Sequence, residues 1–139
     1  MFHTIILVGN LGKDPEMRYT PSGQAVTSFN VATNRQYANN TGQQVKETAW
    51  FRVSVWGKQA ETCNQYLHKG SKVLVEGRMT VDQATGGPRV YARQDGTYGA
   101  SFEVTAFTVR FLSPKGEGEG MGMGGEESPV GAGEDEIPF

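Results

Sequence analysis

Alternating hydrophobic and polar residues predict five β-strands in the first 112 residues. In the second of them, Thr27, Phe29 and Val31 share one parity and are separated by smaller or polar residues. The predicted strands are residues 4–11, 25–33, 46–56, 72–79 and 101–112. Residues 34–45 are polar and contain Asn and Gly, so we predict a loop there.

One segment has the period of an α-helix instead. Ala60, Cys63 and Leu67 recur at helical spacing within residues 58–68 and form one apolar face. Gly70 stands where a C-terminal helix stop is expected. Glycine-rich turn signals in residues 80–100 predict a long loop or a projecting hairpin.

This order of elements predicts an all-β fold. Three strands, one helix and two further strands match the five-stranded Greek-key barrel called the OB-fold, with its helix between strands three and four. OB-folds bind oligonucleotides across one face and its adjoining loops.

Charge divides the chain into two parts. The whole chain has a formal net charge of −2, but residues 1–112 hold 12 basic and 8 acidic side chains and 13 of the 14 aromatic ones. The last 27 residues hold one basic side chain, seven acidic ones and eight glycines. Such a segment cannot bury enough apolar surface to offset its chain entropy. We therefore predict a folded domain at 1–112 and a disordered acidic tail, with a linker at 113–133.

The end of this tail combines acidic and apolar residues. The candidate docking tip consists of Glu134, Asp135, Glu136, Ile137, Pro138 and Phe139. In a docking peptide, the acids would steer it to a basic patch, and Ile137 and Phe139 would enter a pocket. The alternative is a merely solubilising tail.

Other features exclude several classes of protein. No apolar run approaches the ~18 residues of a membrane span, and the N-terminus lacks a secretory signal pattern. His3, His68 and Cys63 match no zinc spacing, and no catalytic triad or carboxylate pair stands out. We expect no enzyme activity, no metal and no cofactor. A single cysteine is typical of a reducing, cytoplasmic compartment.

The third predicted strand carries the strongest candidate site. Its odd-numbered positions form a core-type face: Phe51, Val53 and Val55. Its even-numbered positions place Arg52 between Trp50 and Trp56 on the opposite face. Exposed aromatic rings stack on bases at about 1–3 kcal/mol per base, and arginine pairs with phosphate or stacks. The alternative is that both indoles pack against another subunit or against residues 80–100.

Further aromatic and basic residues extend this candidate interface. The additional stacking candidates are Tyr37, Tyr91 and Tyr98. The candidates for backbone contact, besides Arg52, are Arg35, Lys58, Lys69, Lys72, Arg78, Arg89 and Arg93. Dispersed positive charge is sufficient to follow a DNA backbone. A merely solvated surface is the alternative for each cation, and the residues of 80–100 suit subunit contacts equally well.

Several motifs resemble those of bacterial single-stranded DNA-binding proteins, in the family's order. They are ILVGNLGKDPEMRY at 6–19, WFRV at 50–53, WGK at 56–58, YLHKGS at 66–71, VEGR at 75–78 and DEIPF at 135–139. The resemblance implies a cytoplasmic, nucleoid-associated homotetramer of OB-folds. It would bind single-stranded DNA without sequence specificity during replication, recombination and repair. The tip would recruit genome-maintenance proteins.

The resemblance also assigns roles to individual residues. Tyr37, Trp50 and Trp56 match the family's stacking positions, and the matching basic positions are Arg52, Lys58 and Lys69. Many members carry a further stacking tryptophan after the fourth strand, where this chain has the sequence DQAT at 82–85. Tyr91 and Tyr98 are the candidates to replace it.

Two other classes remain open from the residues alone. An RNA-directed OB-fold differs from a DNA-directed one in its response to the 2′-OH, so competition between matched oligomers separates them. A protein-interaction module would bury its tryptophans in the free oligomer, and DNA would not quench their fluorescence.

Overall fold

Seven strands and one helix build residues 1–113, the part of the chain that the computed structural model describes. The strands are β1 (Ile5–Leu11), β2 (Glu16–Tyr19), β3 (Ala25–Ala38), β4 (Gln44–Trp56), β5 (Lys72–Thr80), β6 (Arg89–Ala92) and β7 (Tyr98–Phe111). Helix α1 (Lys58–Tyr66) lies between β4 and β5. The predicted tip and all of the predicted linker except Ser113 lie outside the described residues.

Five of these strands close into a barrel. Hydrogen-bonded neighbours follow the order β1-β5-β7-β4-β3, and β3 returns to β1 through the pairs Asn10–Ala32 and Leu11–Val31. The β4–β7 pair is parallel and the other pairs of the barrel are antiparallel. This confirms the predicted OB-fold. The short strand β2, which pairs with β3, was not predicted.

Side chains on alternate positions of the strands point into the barrel and form its core. Val53 and Val55 of β4 are fully buried, as predicted, while Phe51 is partly buried and packs on Phe102 with ring centroids 5.6 Å apart. Helix α1 packs against the barrel with Ala60 and Cys63 fully buried. The predicted apolar face of the helix is therefore confirmed for Ala60 and Cys63.

The helix ends two residues earlier than predicted. Leu67 adopts an extended conformation at φ −92° and ψ 151°, and its N–H donates to the Cys63 carbonyl at 3.0 Å. Leu67 is still buried, because the extended chain keeps its side chain against the core. Gly70 is not the helix stop; it lies in the next turn with φ 92°.

The loop predicted at 34–45 is wrong. The ladder between β3 and β4 continues beyond the barrel to the pair Ala38–Gln44, which leaves a turn at 39–43. We call residues 34–38 of β3 and 44–48 of β4 the β3–β4 arm. Polar cross-strand contacts stabilise it, and Arg35 Nη1 lies 2.9 Å from Glu47 Oε2. The side chains of the arm gave no strand signal because few of them are buried, while backbone pairing stabilises it.

For residues 80–100, the hairpin alternative is the one observed. β6 pairs with the start of β7 from Arg89–Ser101 to Ala92–Tyr98. Asp95 Oδ1 accepts hydrogen bonds from the N–H and hydroxyl of Thr97 at the turn, and these bonds lower the pKa of the Asp95 carboxyl. The hairpin projects Arg89 and Tyr91 beside the outer face of β4.

Candidate nucleic-acid interface

The outer face of β4 carries the two tryptophans and Arg52, as the strand pattern predicts. Trp50 is 52% exposed and Trp56 is 43% exposed. In the ladder with β3, Trp50 is paired with Ala32 and Trp56 with Val26. The β3 partner of each indole is thus a small or aliphatic residue, and each indole stays about half exposed.

At one end of this face the residues form an open groove of about 480 Å³. Trp50 and Arg52 on β4 stand opposite Arg89 and Tyr91 on β6. The other lining residues are Asn30, Phe51, Ser101 and Glu103. The tertiary structure therefore brings four of the predicted site residues together, although they are separated by about 40 positions in the chain.

The indole of Trp50 rests on a glycine. A Cβ atom at Gly12 would lie 2.6 Å from Cζ3 and 2.7 Å from Cη2 of Trp50. The Gly12 N–H donates to the Asn30 carbonyl at 3.1 Å, which holds the backbone beneath the ring. Gly12 was not among the predicted site residues, and its only signal is its place in the motif at 6–19.

A carboxylate also lines the groove. Glu103 is the β7 neighbour of Arg52, and its side chain is only 19% exposed. Its Oε2 accepts a hydrogen bond from the Ser101 hydroxyl at 2.9 Å, and its Oε1 lies 3.8 Å from Nη1 of Arg89. The sequence pattern did not single out Glu103, because nothing local places it between two arginines.

Trp56 lies at the other end of the outer face. Val26 separates it from Arg18 of β2 across the ladder, and Lys58 follows it at the start of α1. Arg18 is exposed and extends the cationic surface there. We did not predict Arg18 as a site residue, since β2 itself was not predicted.

Two predicted residues lie on a different face of the β3–β4 arm. By register, Tyr37 and Arg35 have the opposite parity to Trp50 and its partner Ala32. The Arg35 guanidinium lies 4.5 Å from the centroid of the Tyr37 ring and also pairs with Glu47. Tyr37 is 37% exposed and does not line the groove.

Tyr98 and Tyr91 are separated by the hairpin. The two residues alternate in the β6–β7 ladder, so Tyr91 points to the groove face while Tyr98 lies on the other face with Val90. Tyr98 is 72% exposed. The Arg93 guanidinium lies within cation–π distance of Tyr91, with its Cζ 5.6 Å from the ring centroid.

The remaining predicted cations are dispersed. Lys69 lies in the turn after α1, where its N–H donates to Asp14 Oδ1 at 2.8 Å. Lys72 is paired with Asn10 on the β1–β5 side of the barrel. Arg78 is paired with Thr105, on the outer face near the N-terminal residues.

Other chemistry is sparse within residues 1–113. Burial raises the pKa of the Cys63 thiol to about 12, so the thiol stays protonated and unreactive near neutral pH. No group of three His, Cys, Asp or Glu residues in this part of the chain is arranged to hold a metal ion. No helix among these residues is long and apolar enough to cross a membrane.

The fold and the groove define an OB-fold protein with a surface of the nucleic-acid-binding type. The chain belongs to the single-strand binding protein family, which it matches over residues 2–112. It is 40% identical to a single-stranded DNA-binding protein of Wolinella succinogenes, over 91% of this chain and 74% of that protein. It is 42% identical to the Bacillus cereus single-stranded DNA-binding protein, over 96% of this chain and 73% of that one.

Solved structures show the same fold. A deletion mutant of the single-stranded DNA binding protein from Thermus aquaticus superposes with a TM-score of 0.62 at 30% identity, over 81% of this chain. The aligned region spans about half, 51%, of the Thermus chain. The Plasmodium falciparum SSB, solved in complex with ssDNA, superposes with a TM-score of 0.67 at 24% identity, over 81% of this chain and 97% of that one.

Proposed function

We propose that this protein binds single-stranded DNA without sequence specificity and protects it during replication, recombination and repair. The groove formed by Trp50, Arg52, Arg89 and Tyr91 is the observation that carries the proposal. Its two aromatic walls offer π-faces to bases, and its arginines offer charge to phosphates. The family and the relatives' names support DNA as the ligand.

The bound single-stranded DNA follows the outer face of β4. Trp50 and Trp56 are six residues apart on one strand, a span of ~20 Å, so they hold different bases rather than one. Arg52 lies between them, and Arg18 and Lys58 continue the charge near Trp56. Stacking is sequence-tolerant because every base has a π-face.

We assign the other predicted residues to the part of the DNA path that lies beyond the outer face of β4. Tyr37 with Arg35 lies on the projecting arm, and Lys69 lies in the turn beside Asp14. Single-stranded DNA that wraps around the barrel contacts these groups after it leaves the groove. Lys72, Arg78 and Tyr98 lie on separate surfaces, and we assign them to a peripheral part of the path.

The test is a titration of the protein with oligo-dT, read by tryptophan fluorescence for the parent and by anisotropy of labelled oligo-dT for variants. DNA quenches the parent, and affinity falls as salt rises because phosphate binding releases counterions. Trp50→Ala and Trp56→Ala each weaken binding about fivefold or more, the equivalent of about 1 kcal/mol per stacked base. Tyr66→Ala, an exposed aromatic on α1, is the matched control and binds like the parent.

If a variant with both Trp50→Ala and Trp56→Ala bound oligo-dT as tightly as the parent, base stacking on these two residues would be disproved. Parallel competition with an RNA oligomer of the same sequence separates DNA from RNA as the ligand. We expect DNA to compete better than RNA.

Self-association into a homotetramer is the second part of the proposal. Ile6 and Val8 are 60% and 38% exposed on the outer face of β1, next to Leu74 of β5. From Ile5 to Gly9, β1 pairs with β5 alone, so its other edge offers backbone groups for pairing. An apolar face beside an open strand edge favours contact with a second copy.

The third part is recruitment of replication, repair and recombination proteins by residues 134–139. Three acids and the terminal Ile-Pro-Phe supply steering charge and apolar anchors. Deleting residues 134–139 leaves oligo-dT affinity within about twofold, since the tip adds no cation or groove residue. The same deletion abolishes pull-down of such enzymes from cognate cell extract; retention of them by the truncated chain would contradict docking.

A further inference from the structure

Tyr91 and Arg93 pack together over Gly99. Gly99 is the direct partner of Tyr91 in the β6–β7 ladder. A Cβ atom at Gly99 would lie 2.5 Å from Nη2 of Arg93 and 2.8 Å from both Cζ and Oη of Tyr91. The end of the phenol ring and the guanidinium therefore occupy the space that a side chain would need.

The guanidinium of Arg93 is held within the hairpin. Its Nη1 donates to the Tyr98 carbonyl at 2.8 Å and to the Thr97 hydroxyl at 3.2 Å. Its Cζ lies 5.6 Å from the centroid of the Tyr91 ring. These contacts direct the cation toward the turn and the ring, and away from a role as a free phosphate ligand.

From this packing we propose that Gly99 and Arg93 are positioning residues for Tyr91. Gly99 lets the ring lie close to the backbone, and Arg93 holds it there by a cation–π contact while two hydrogen bonds tie the guanidinium to the turn. The ring is then ordered against the groove before a base arrives, which lowers the entropy cost of binding. Arg93 thus acts on DNA through Tyr91. The inference rests on the proposed stacking function of the groove.

The geometry separates this role from a role in folding. The backbone of Gly99 lies outside the left-handed region, so alanine suits its conformation. The atoms that a new Cβ would meet are the ends of two flexible side chains, so Gly99→Ala displaces the ring and the guanidinium rather than a strand. Gly87→Ala is the matched control in the same segment, because the nearest atom to its Cβ is Thr85 Oγ1 at 3.7 Å.

The experiment measures oligo-dT affinity by anisotropy over a salt series, using the full chain. Gly99→Ala, Arg93→Gln and Gly87→Ala are each made in the parent and in a Tyr91→Ala background. In the parent, Gly99→Ala and Arg93→Gln each weaken binding about threefold or more, part of what one stacked base contributes. When Tyr91 is absent, Gly99→Ala weakens binding no further and Arg93→Gln loses only the smaller, salt-screened contribution of its charge, while Gly87→Ala has no effect in either background.

The salt series gives a second readout for Arg93. The slope of log K against log salt is negative, and losing one phosphate contact makes it less steep by about 0.7. Substituting a positioning residue leaves the steepness unchanged. The inference is overturned if Gly99→Ala binds like the parent, or if either effect is the same with and without Tyr91. It is also overturned if the salt dependence of Arg93→Gln is less steep than that of the parent by about 0.7. Trp50→Ala in the same series tests the groove itself, so failure of the proposed function is distinguished from failure of this inference.

Discussion

The carboxylate of Glu103 opposes the charge of the groove in which it lies. It sits beside Arg52 in the β4–β7 ladder and 3.8 Å from Arg89, and the Ser101 hydroxyl orients it. Arginines alone would maximise attraction for phosphate. We expect the negative charge of Glu103 to reduce that attraction and so to weaken binding of a phosphate backbone in the groove.

Glu103→Gln tests this balance at the scale of one residue. The amide oxygen keeps the hydrogen bond from Ser101, while the negative charge is lost. Oligo-dT affinity then rises about threefold at low salt, the size expected for one charge at ~6 Å in water, and the gain shrinks as salt is added. Glu61→Gln on the exposed side of α1 makes the same change in net charge and leaves affinity nearly unchanged. Weaker binding by Glu103→Gln would contradict the interpretation.

Individual residues also show how far a sequence pattern reaches. Period-two alternation correctly placed Trp50 and Trp56 outside and Val53 inside. It did not find Gly12 or Glu103, whose roles depend on partners from other strands. No local pattern reports contacts between strands that are distant in the chain.

At the scale of elements, α1 is fixed to the barrel by the side chain of Gln59. Its Nε2 donates to the Phe107 carbonyl at 3.0 Å, and its Oε1 accepts from the Val109 N–H at 2.7 Å. These groups flank an irregularity in the β5–β7 register between Glu76 and Gly77. One amide thus satisfies two backbone groups where the ladder is interrupted.

Removing this amide destabilises the protein. Gln59→Ala lowers the free energy of unfolding by about 1–2 kcal/mol, because two hydrogen bonds are lost and two backbone groups lose their partner. Urea denaturation followed by circular dichroism measures the change. Gln65→Ala is the matched control on the exposed side of the same helix and gains the same helix propensity. Equal stability of the two variants would argue against a bridging role.

The elements that sequence reasoning missed share a physical cause. β2 and the β3–β4 arm have few buried side chains, so their patterns lack the alternation that marks a strand. Backbone pairing with β3 and β4 stabilises them instead. The helix end was misplaced because Leu67 is buried in both the predicted helix and the observed extended segment.

For the whole molecule, the outer face of β1 predicts assembly. Ile6 is 60% exposed in the single chain, which is costly for a β-branched aliphatic residue on an open strand edge. Burial against another copy removes both the apolar area and the unpaired edge. We expect light scattering of the parent to give the mass of four chains.

Ile6→Glu tests this assembly. The charge cannot be buried without a partner, so the variant dissociates into smaller species while it keeps the circular dichroism spectrum of the barrel. Gln65→Glu adds the same charge on α1 and leaves the mass unchanged. If Ile6→Glu kept the mass of four chains, β1 would not be the interface.

The sequence by itself determined the barrel, its core face and the exposed tryptophans, because these follow from alternation within single strands and from the order of elements. It also indicated a division between a basic, aromatic-rich domain and an acidic tail. Only the tertiary structure decided which residues share the groove. Tyr91 joins Trp50 there while Tyr37 and Tyr98 do not, because strand register and hairpin direction set the face of each side chain. Those choices depend on pairing between distant segments, which no local pattern contains.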